Sequence, residues 1–360
     1  MDGSIKEAES TQTAQRVAAV AVVIVGFKNA DDIAGCLTAL SASLPSPGFD
    51  IFICENGGRP AFEQLLDELL QADGPCAPAT DFECSDQFQS ATFVDVHRLR
   101  LRERPGCDVW IGCASGNLGY AGGINAWLGP LAERDGWKGV WILNPDTEPE
   151  RGALAALVEH AEATGKAMVG STILDGDGSR SVRFRGGVHW QKLRARSVAI
   201  GLGDRADALH DVQLIEREMD SPSGASMYVT RACIEAIGPM DERYFLFFED
   251  LDWGVRAKQF GLGYASASIV AHKRGTTTGS AKAPGEIPKL TVYLEHRNGI
   301  HFVRRHFPWA LPLRVAASCL YSLRFLLRNA PGNSLAAIHG MAAGLMGEVG
   351  QPSWHRNQAK

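Results

Sequence analysis

An unbroken apolar run, Ala21–Phe27, rich in β-branched residues, predicts a parallel strand covered on both faces. The period then changes. Ile33, Leu37 and Leu40 recur at helical spacing over Asp31–Leu40, and a second apolar run, Phe49–Cys54, ends at Glu55-Asn56-Gly57-Gly58. Strand, helix, strand is a βαβ opening, and a ligand of such a unit lies at the C-terminal ends of its strands, where Phe27, Lys28, Glu55 and Asn56 fall. From Arg59 to Pro105 the pattern weakens: a helix over Ala61–Ala72 is followed by Pro, Cys and acidic residues without period, as in an insertion or irregular excursion. Strands return at Val109–Gly112 and Gly139–Leu143, each followed by a helix, and again at Ala167–Ile173. The Gly- and Arg-rich segment 175–205 predicts exposed hairpins or loops, and Asp220–Val229 leads from a turn into a strand. A short helix over Arg231–Ile237 follows, and the last strand, Ile269–Ala271, ends at His272. This alternation predicts an α/β fold with a mostly parallel central sheet and helices on both faces.

The chain is organised around residues 241–272. The apolar run Tyr244–Phe248 has the pattern of a strand, and it delivers Glu249, Asp250 and Asp252 to the start of a helix (Leu251, Val255, Phe260) that ends at Gly261. Carboxylates at such a junction sit beside backbone N–H groups and within reach of solvent, which suits a general base or a metal ligand; acids in a first turn also cap helices with no further role. Ser115–Asn125 places glycines and asparagines between a strand and a helix, where backbone N–H groups can approach an anion or simply turn tightly. It is not a dinucleotide fingerprint, because that spacing needs glycine at Leu118, and an oxidoreductase reading fails there. Asn144-Pro145-Asp146 ends another buried strand, which puts Asp146 at the same edge.

Composition narrows the class. The 360 residues are 45% hydrophobic and 21% charged, which is globular, and the net charge of −5 gives no reason to expect a nucleic-acid partner. The eight cysteines form no C-x-x-C pair and are expected as reduced thiols of a cytoplasmic protein. Acidic residues precede the apolar run 17–27, which argues against a signal sequence, and no later stretch reaches the roughly 20 uncharged apolar residues of a spanning helix. From His296 to Gly347 the chain carries six arginines (297, 304, 305, 314, 324, 328) and no acid, interleaved with Trp309, Leu313, Leu320 and Phe325. That pattern fits either a peripheral helix on an anionic membrane surface or a helix packed on the rest of the chain.

In this order, Phe27-Lys28-Asn29, Glu55-Asn56-Gly57, Gly116–Asn125, Leu143–Glu148, Ser223–Met227, Gly238–Asp252 and Ala271-His272 resemble a family 2 glycosyltransferase of the GT-A fold, most closely its rhamnosyltransferase branch. The resemblance covers about 17–275, with a weaker match through Tyr293–Asn298. Residues 1–16 are polar and expected to be disordered, and the resemblance implies a catalytic domain 17–285, with 59–105 inserted or irregular, followed by a C-terminal helical extension 286–360 that either meets a membrane surface or packs on the domain. Asp146 and His272 are implied as ligands of a divalent cation, Mn²⁺ or Mg²⁺, with Asn144 replacing the first acid of the family's DxD-type motif. Asp250 matches the base of inverting members, with Glu249 as its neighbour and substitute. Phe27, Lys28, Glu55, Asn56, Asn117, Gly119, Asn125, Asn144 and Asp146 would line the nucleotide-diphosphate sugar donor, and Trp253 and Arg256 would meet sugar or acceptor. The implied reaction moves a sugar, L-rhamnose from dTDP-rhamnose, onto a glycan or polyprenyl-diphosphate-linked acceptor at the cytoplasmic face of a membrane. Two rivals stand beside it: the same fold with a UDP-hexose or UDP-galactofuranose donor, and a non-catalytic sugar-nucleotide or glycan-binding protein.

Overall fold

The computed structural model describes residues 17–79, 88, 90–273 and 283–356; the tail expected at 1–16 lies outside the described residues. In chain order, β1 (Val20–Gly26), α1 (Ala30–Ser41), β2 (Phe49–Glu55) and α2 (Arg59–Leu70) precede β3 (Cys76–Pro78), β4 (Phe93–Leu101) and β5 (Arg104–Ala114). Next come α3 (Gly119–Ala132), β6 (Gly139–Leu143), β7 (Thr147–Pro149), α4 (Ala153–Thr164) and β8 (Met168–Asp175). The hairpin strands β9 (Val182–Arg185), β10 (Gly187–Gln191) and β11 (Arg196–Ala199) lead through α5 (Val212–Glu218), β12 (Ser221–Pro222) and β13 (Ser226–Thr230) to α6 (Arg231–Ile237), α7 (Glu249–Ala257) and β14 (Leu262–His272). The helices α8 (Lys289–His306), α9 (Leu311–Leu327), α10 (Pro331–Met346) and α11 (Ser353–Arg356) follow.

Among the described residues, one large sheet has the order β3-β4-β5-β2-β1-β6-β13-β8-β14-β7, with β9 paired to β8. β5, β2, β1 and β6 are parallel neighbours; β13 enters antiparallel between β6 and β8, and β8 and β14 resume the common direction. The fold is therefore α/β with a largely parallel central sheet and helices on both faces. The continuous apolar sequence of β1 explains its burial: Val20, Val22 and Ile24 face a core formed with α1, α2 and α4, while Ala21, Val23 and Val25 face a second core with α3 and Trp253 of α7. Parallel register brings Gly26 beside Glu55, and Glu55 beside Cys113, so the loops after β1, β2, β5 and β6 open on one edge.

Three expectations need correction. The described residues of 59–105 are more regular than expected: beyond α2, β4 and β5 form an antiparallel pair that extends the sheet, tied by Arg98 to Asp108 at 2.7 Å and by Arg98 over the Trp110 ring. Tyr244–Phe248 is not a strand. Tyr244 ends a 3₁₀ turn, Phe245, Phe247 and Phe248 take φ values of 67°, 69° and 75°, and their segment pairs with no strand. Finally, residues 308–327 do form a 20-residue helical stretch long and apolar enough to cross a membrane by length and composition, and most of it is uncovered by protein. Arg314 and Arg324 interrupt the apolar run without ending the helix.

Candidate active site

At the first strand ends, Lys28 adopts a left-handed φ of 57°, and its N–H donates to Glu55 Oε1 at 3.1 Å. Gly57 N–H donates to the same oxygen at 2.7 Å. Glu55 is buried, its Oε2 has no partner, and burial raises its carboxyl pKa against the pull of those N–H groups. Gly26 and Gly57 make room for it, since a side chain at either would run into the carboxylate. Phe27 is partly buried, its N–H is held by Asn29, and its ring lies beneath the Lys28 ammonium.

Several asparagines expected to line a donor hold loops instead. Asn56 donates to Gly119 O at 3.0 Å and accepts from Leu118 N–H, and Asn117 accepts from Gly119 N–H. Gly119 itself has φ 74° and packs so closely on the Phe245 carbonyl that a Cβ would collide with it. Asn125 exchanges two hydrogen bonds with the Met240 backbone, Nδ2 donating to the carbonyl and Oδ1 accepting from N–H, and Nδ2 also donates to Glu242. These residues fix the 116–120 loop and the 239–242 turn against one another.

Asn144, Asp146 and His272 do meet. His272 ends β14 beside Thr147 of β7, and its Nε2 lies 3.4 Å from Asp146 Oδ1 and 3.4 Å from the Asn144 amide. Arg183 contacts the other ring nitrogen, Nδ1, at 2.6 Å; a guanidinium only donates, so Nδ1 accepts and any ring proton sits on Nε2. Burial, the largest influence, holds the His272 pKa below its ordinary value despite Asp146. Among the described residues no three His, Cys, Asp or Glu side chains gather as a metal cage. Asp146 and His272 nevertheless offer an oxygen and a nitrogen ligand on one centre, a donor set that fits a divalent ion completed by substrate phosphate oxygens. Binding it through Nε2 requires the ring proton to move to Nδ1 and Arg183 to turn towards Asp175, 3.3 Å from its Nε.

Glu249 and Asp250 open α7 with their backbone set by the left-handed Phe248. Asp250 Oδ2 accepts from Gly224 N–H at 3.1 Å and Oδ1 from Leu251 N–H at 2.7 Å. Glu249 is buried with Oε2 unpartnered, and its pKa is pushed up to about 8 by that burial and then by the charge of Asp250. Burial raises Asp250 as well, but its two N–H donors oppose the shift and favour the ionised form. At neutral pH Glu249 is therefore the protonated member of the pair, and Asp250 is the member whose ionised form the N–H donors stabilise.

Tyr120, which sequence reading did not single out, joins these groups. Its hydroxyl lies 3.1 Å from Asn144 Oδ1 and 2.7 Å from Gly224 O, and Gly224 N–H holds Asp250. Burial first, then Glu249, Asp250 and Asp146, raise its pKa well above the usual value, so it stays a neutral hydroxyl. Nor did sequence reading single out Arg183, in a hairpin of no recognisable pattern, or Gly224, which acts through its backbone.

Two expected contacts are overturned. Trp253 is fully buried in the core and donates its indole N–H to Gly238 O, so no sugar reaches it. Arg256 is occupied by Asp252 and the carbonyls of Ile237 and Pro239. Both follow from the phase of α7, which turns these positions to the sheet and to the 237–239 turn.

No family model matches the chain. It is 29% identical over 224 residues to the N-acetylglucosaminyl-diphospho-decaprenol L-rhamnosyltransferase of Mycobacterium tuberculosis, an alignment covering 55% of this chain and 68% of that protein. It is 21% identical over 245 residues to the low-salt glycan biosynthesis hexosyltransferase Agl10 of Haloferax volcanii, covering 66% and 76%. A solved structure, the mannosyltransferase PcManGT from Pyrobaculum calidifontis in complex with GDP-Man and Mn²⁺, superposes over 92% of this chain and 88% of that one, with TM-score 0.48 and 11% identity. Both sequence relatives are named as sugar transferases, and the protein is a glycosyltransferase.

Proposed function

We propose that the protein is an inverting, metal-dependent transferase that moves a sugar from a nucleoside-diphosphate donor, L-rhamnose from dTDP-rhamnose, to a glycan or lipid-linked acceptor in surface glycan synthesis. One observation carries this reading: hydrogen bonds run from Asp250 through Gly224 and Tyr120 to Asn144, beside Asp146 and His272, so a base and a phosphate-binding edge belong to one site. Asp250 takes the proton of the acceptor hydroxyl as that oxygen bonds to the anomeric carbon. The bond from that carbon to the diphosphate breaks on the opposite face, and its electrons leave with the nucleoside diphosphate. Asp146 and His272 hold the divalent cation, which when bound neutralises the leaving diphosphate. Glu55, with its unpartnered buried oxygen, and Lys28 contact the nucleoside end of the donor. The rhamnosyl donor is supported by the name of the mycobacterial relative, and the polyprenyl-linked acceptor by its decaprenol.

A polyprenyl-linked acceptor would be met at a membrane surface, and we extend the proposal to the cytoplasmic face of that membrane. Trp309, Leu320, Leu323, Leu326 and Leu327 are exposed along 308–327, with Arg324 among them and Arg328 directly after, as an anionic bilayer surface requires. Flotation with vesicles containing anionic lipid tests this, and failure to bind them in low salt removes it.

Release of free nucleoside diphosphate from dTDP-, UDP- and GDP-sugars, with and without Mn²⁺ and with membrane lipid extract as acceptor source, tests the reaction. Metal-dependent release from dTDP-rhamnose alone is the expected result. Release from a UDP-hexose or UDP-galactofuranose instead moves the donor and keeps the chemistry. Nucleotide binding without release from any donor, with lipid extract present, overturns the catalytic reading in favour of a binding protein.

A further inference from the structure

The motif Arg297-Asn298 on α8 lies far along the chain from the acids of α7, and nothing in the reaction above uses it. Both side chains are buried. Asn298 Nδ2 donates to the carbonyls of Tyr244, Leu246 and Phe247 at 2.9, 2.8 and 2.9 Å. Arg297 Nε donates to Asn298 Oδ1 at 3.0 Å, which fixes the amide so that its NH₂ faces those carbonyls. Arg297 also donates to Tyr244 O at 3.0 Å and to Gly350 O at 2.6 Å.

The carbonyls belong to the segment whose three phenylalanines hold left-handed φ, a conformation that bulky residues rarely adopt unless the surroundings impose it. No β-ladder satisfies this backbone. Released from α8, the segment would lose the side-chain donors to the Leu246 and Phe247 carbonyls and leave Tyr244 O with Leu246 N–H, and it would relax towards ordinary φ values. Its C-terminal residue, Phe248, is the N-cap of α7, so relaxation would move Glu249 and Asp250 directly. Its other side carries the donor-facing loop, since Phe245 O accepts from Tyr120 N–H at 2.7 Å.

We propose that Arg297 and Asn298 are positioning residues for catalysis: Asn298 clamps the strained 245–248 segment in the geometry that presents Asp250 to the acceptor, and Arg297 orients the clamp. The inference rests on Asp250 being the base.

The test compares Asn298→Asp, which keeps the size and replaces the donating NH₂ by an oxygen, and the milder Arg297→Lys with wild type and with Asp250→Asn. Turnover is read with the donor that gives release above, nucleotide affinity with dTDP and UDP alone, and folding by thermal melting. Asn298→Asp should lower kcat about 10- to 100-fold with nucleotide affinity within about twofold, and Arg297→Lys should give a smaller kcat loss of the same kind, consistent with catalysis that depends on placement to within an ångström. Hydrogen exchange over residues 244–250 should quicken in both variants while β1 and β2 stay protected. Wild-type kcat per folded molecule in both variants, with only a lowered melting temperature, overturns the clamp. Should Asn298→Asp not fold, wild-type kcat in folded Arg297→Lys together with unchanged exchange over 244–250 overturns it alone. Full turnover in Asp250→Asn would bring down the base assignment instead, which separates the two failures.

Discussion

Glu249→Gln separates the two neighbouring acids, through stability as well as through activity. In the folded protein Glu249 titrates at about 8, against an ordinary value of 4.5. A raised acid pKa means that between those values the folded state keeps a proton the unfolded chain has lost. The associated stability is complete below about pH 4.5 and is lost at about 1.4 kcal/mol per pH unit as pH rises towards 8. From about pH 6 to 7.5 this single group should therefore remove about 2 kcal/mol from the wild type, an order-of-magnitude value for a buried carboxyl beside another. Glutamine has nearly the same shape, keeps a donor where the protonated acid has one, and does not titrate. The variant should lack this slope, and at roughly 2 °C per kcal/mol for a large domain the two melting curves should diverge by about 4 °C across that range. Differential scanning fluorimetry in a common buffer series reads this directly. The same substitution should leave turnover at neutral pH within a few-fold, because the residue it replaces is already uncharged. Parallel melting curves would refute the protonated state of Glu249, and a loss of turnover as large as that of Asp250→Asn would refute the division of roles between the pair.

Asp250→Asn should reduce kcat by about 10²–10⁴-fold, the usual contribution of a general base, with nucleotide affinity nearly intact by titration calorimetry. Asp146→Ala should abolish the Mn²⁺ stimulation of nucleoside diphosphate release, measured as a metal titration, while the melting temperature without metal changes little. Gly119→Ala puts a side chain at φ 74° against the Phe245 carbonyl, so a loss of about 1–3 kcal/mol in urea unfolding should accompany weakened donor binding. Trp253→Ala removes a fully buried indole and should cost about 3–5 kcal/mol in the same assay; a changed acceptor KM at wild-type stability would restore Trp253 to the site.

The parts of the fold that were legible in sequence are those in which one period serves one environment. β1 reads as a strand because both its faces are buried, and α6 was bounded correctly at Arg231–Ile237 because its cap, Thr230, and the glycine at 238 frame it. β4 was not legible: as a partly exposed strand near the sheet edge it mixes Val94 and Val96 with Arg98 and Arg100, whose stems and ion pairs cover what apolar side chains would otherwise cover. The run 244–248 misled because apolar composition reports burial and says nothing of what satisfies the backbone, which here is an amide about fifty residues away. At the site, residue types at strand ends gave Glu55, Asn144, Asp146 and His272 their places at the edge, and the acidic run opening a helix gave Asp250 its own. They did not distinguish a side chain that faces the open edge from one that holds a loop, so Asn56 and Asn125 passed for ligands while Tyr120 passed unnoticed.

The attachment of α8 bears on how such an enzyme can be shortened. Every acid discussed above precedes residue 273, so a protein ending near 285 would retain each of them and would look, by motif, like a minimal transferase. It would lack Arg297, Asn298 and the Phe302 ring that packs on Trp190 and Phe248. Such a fragment would hold the right residues around a slack hinge, and an inactive fragment would then say nothing against the residues themselves. In homologous chains, the sequence after the last sheet strand should vary together with the segment ahead of the acids, since the two halves of this clasp can change only as a pair.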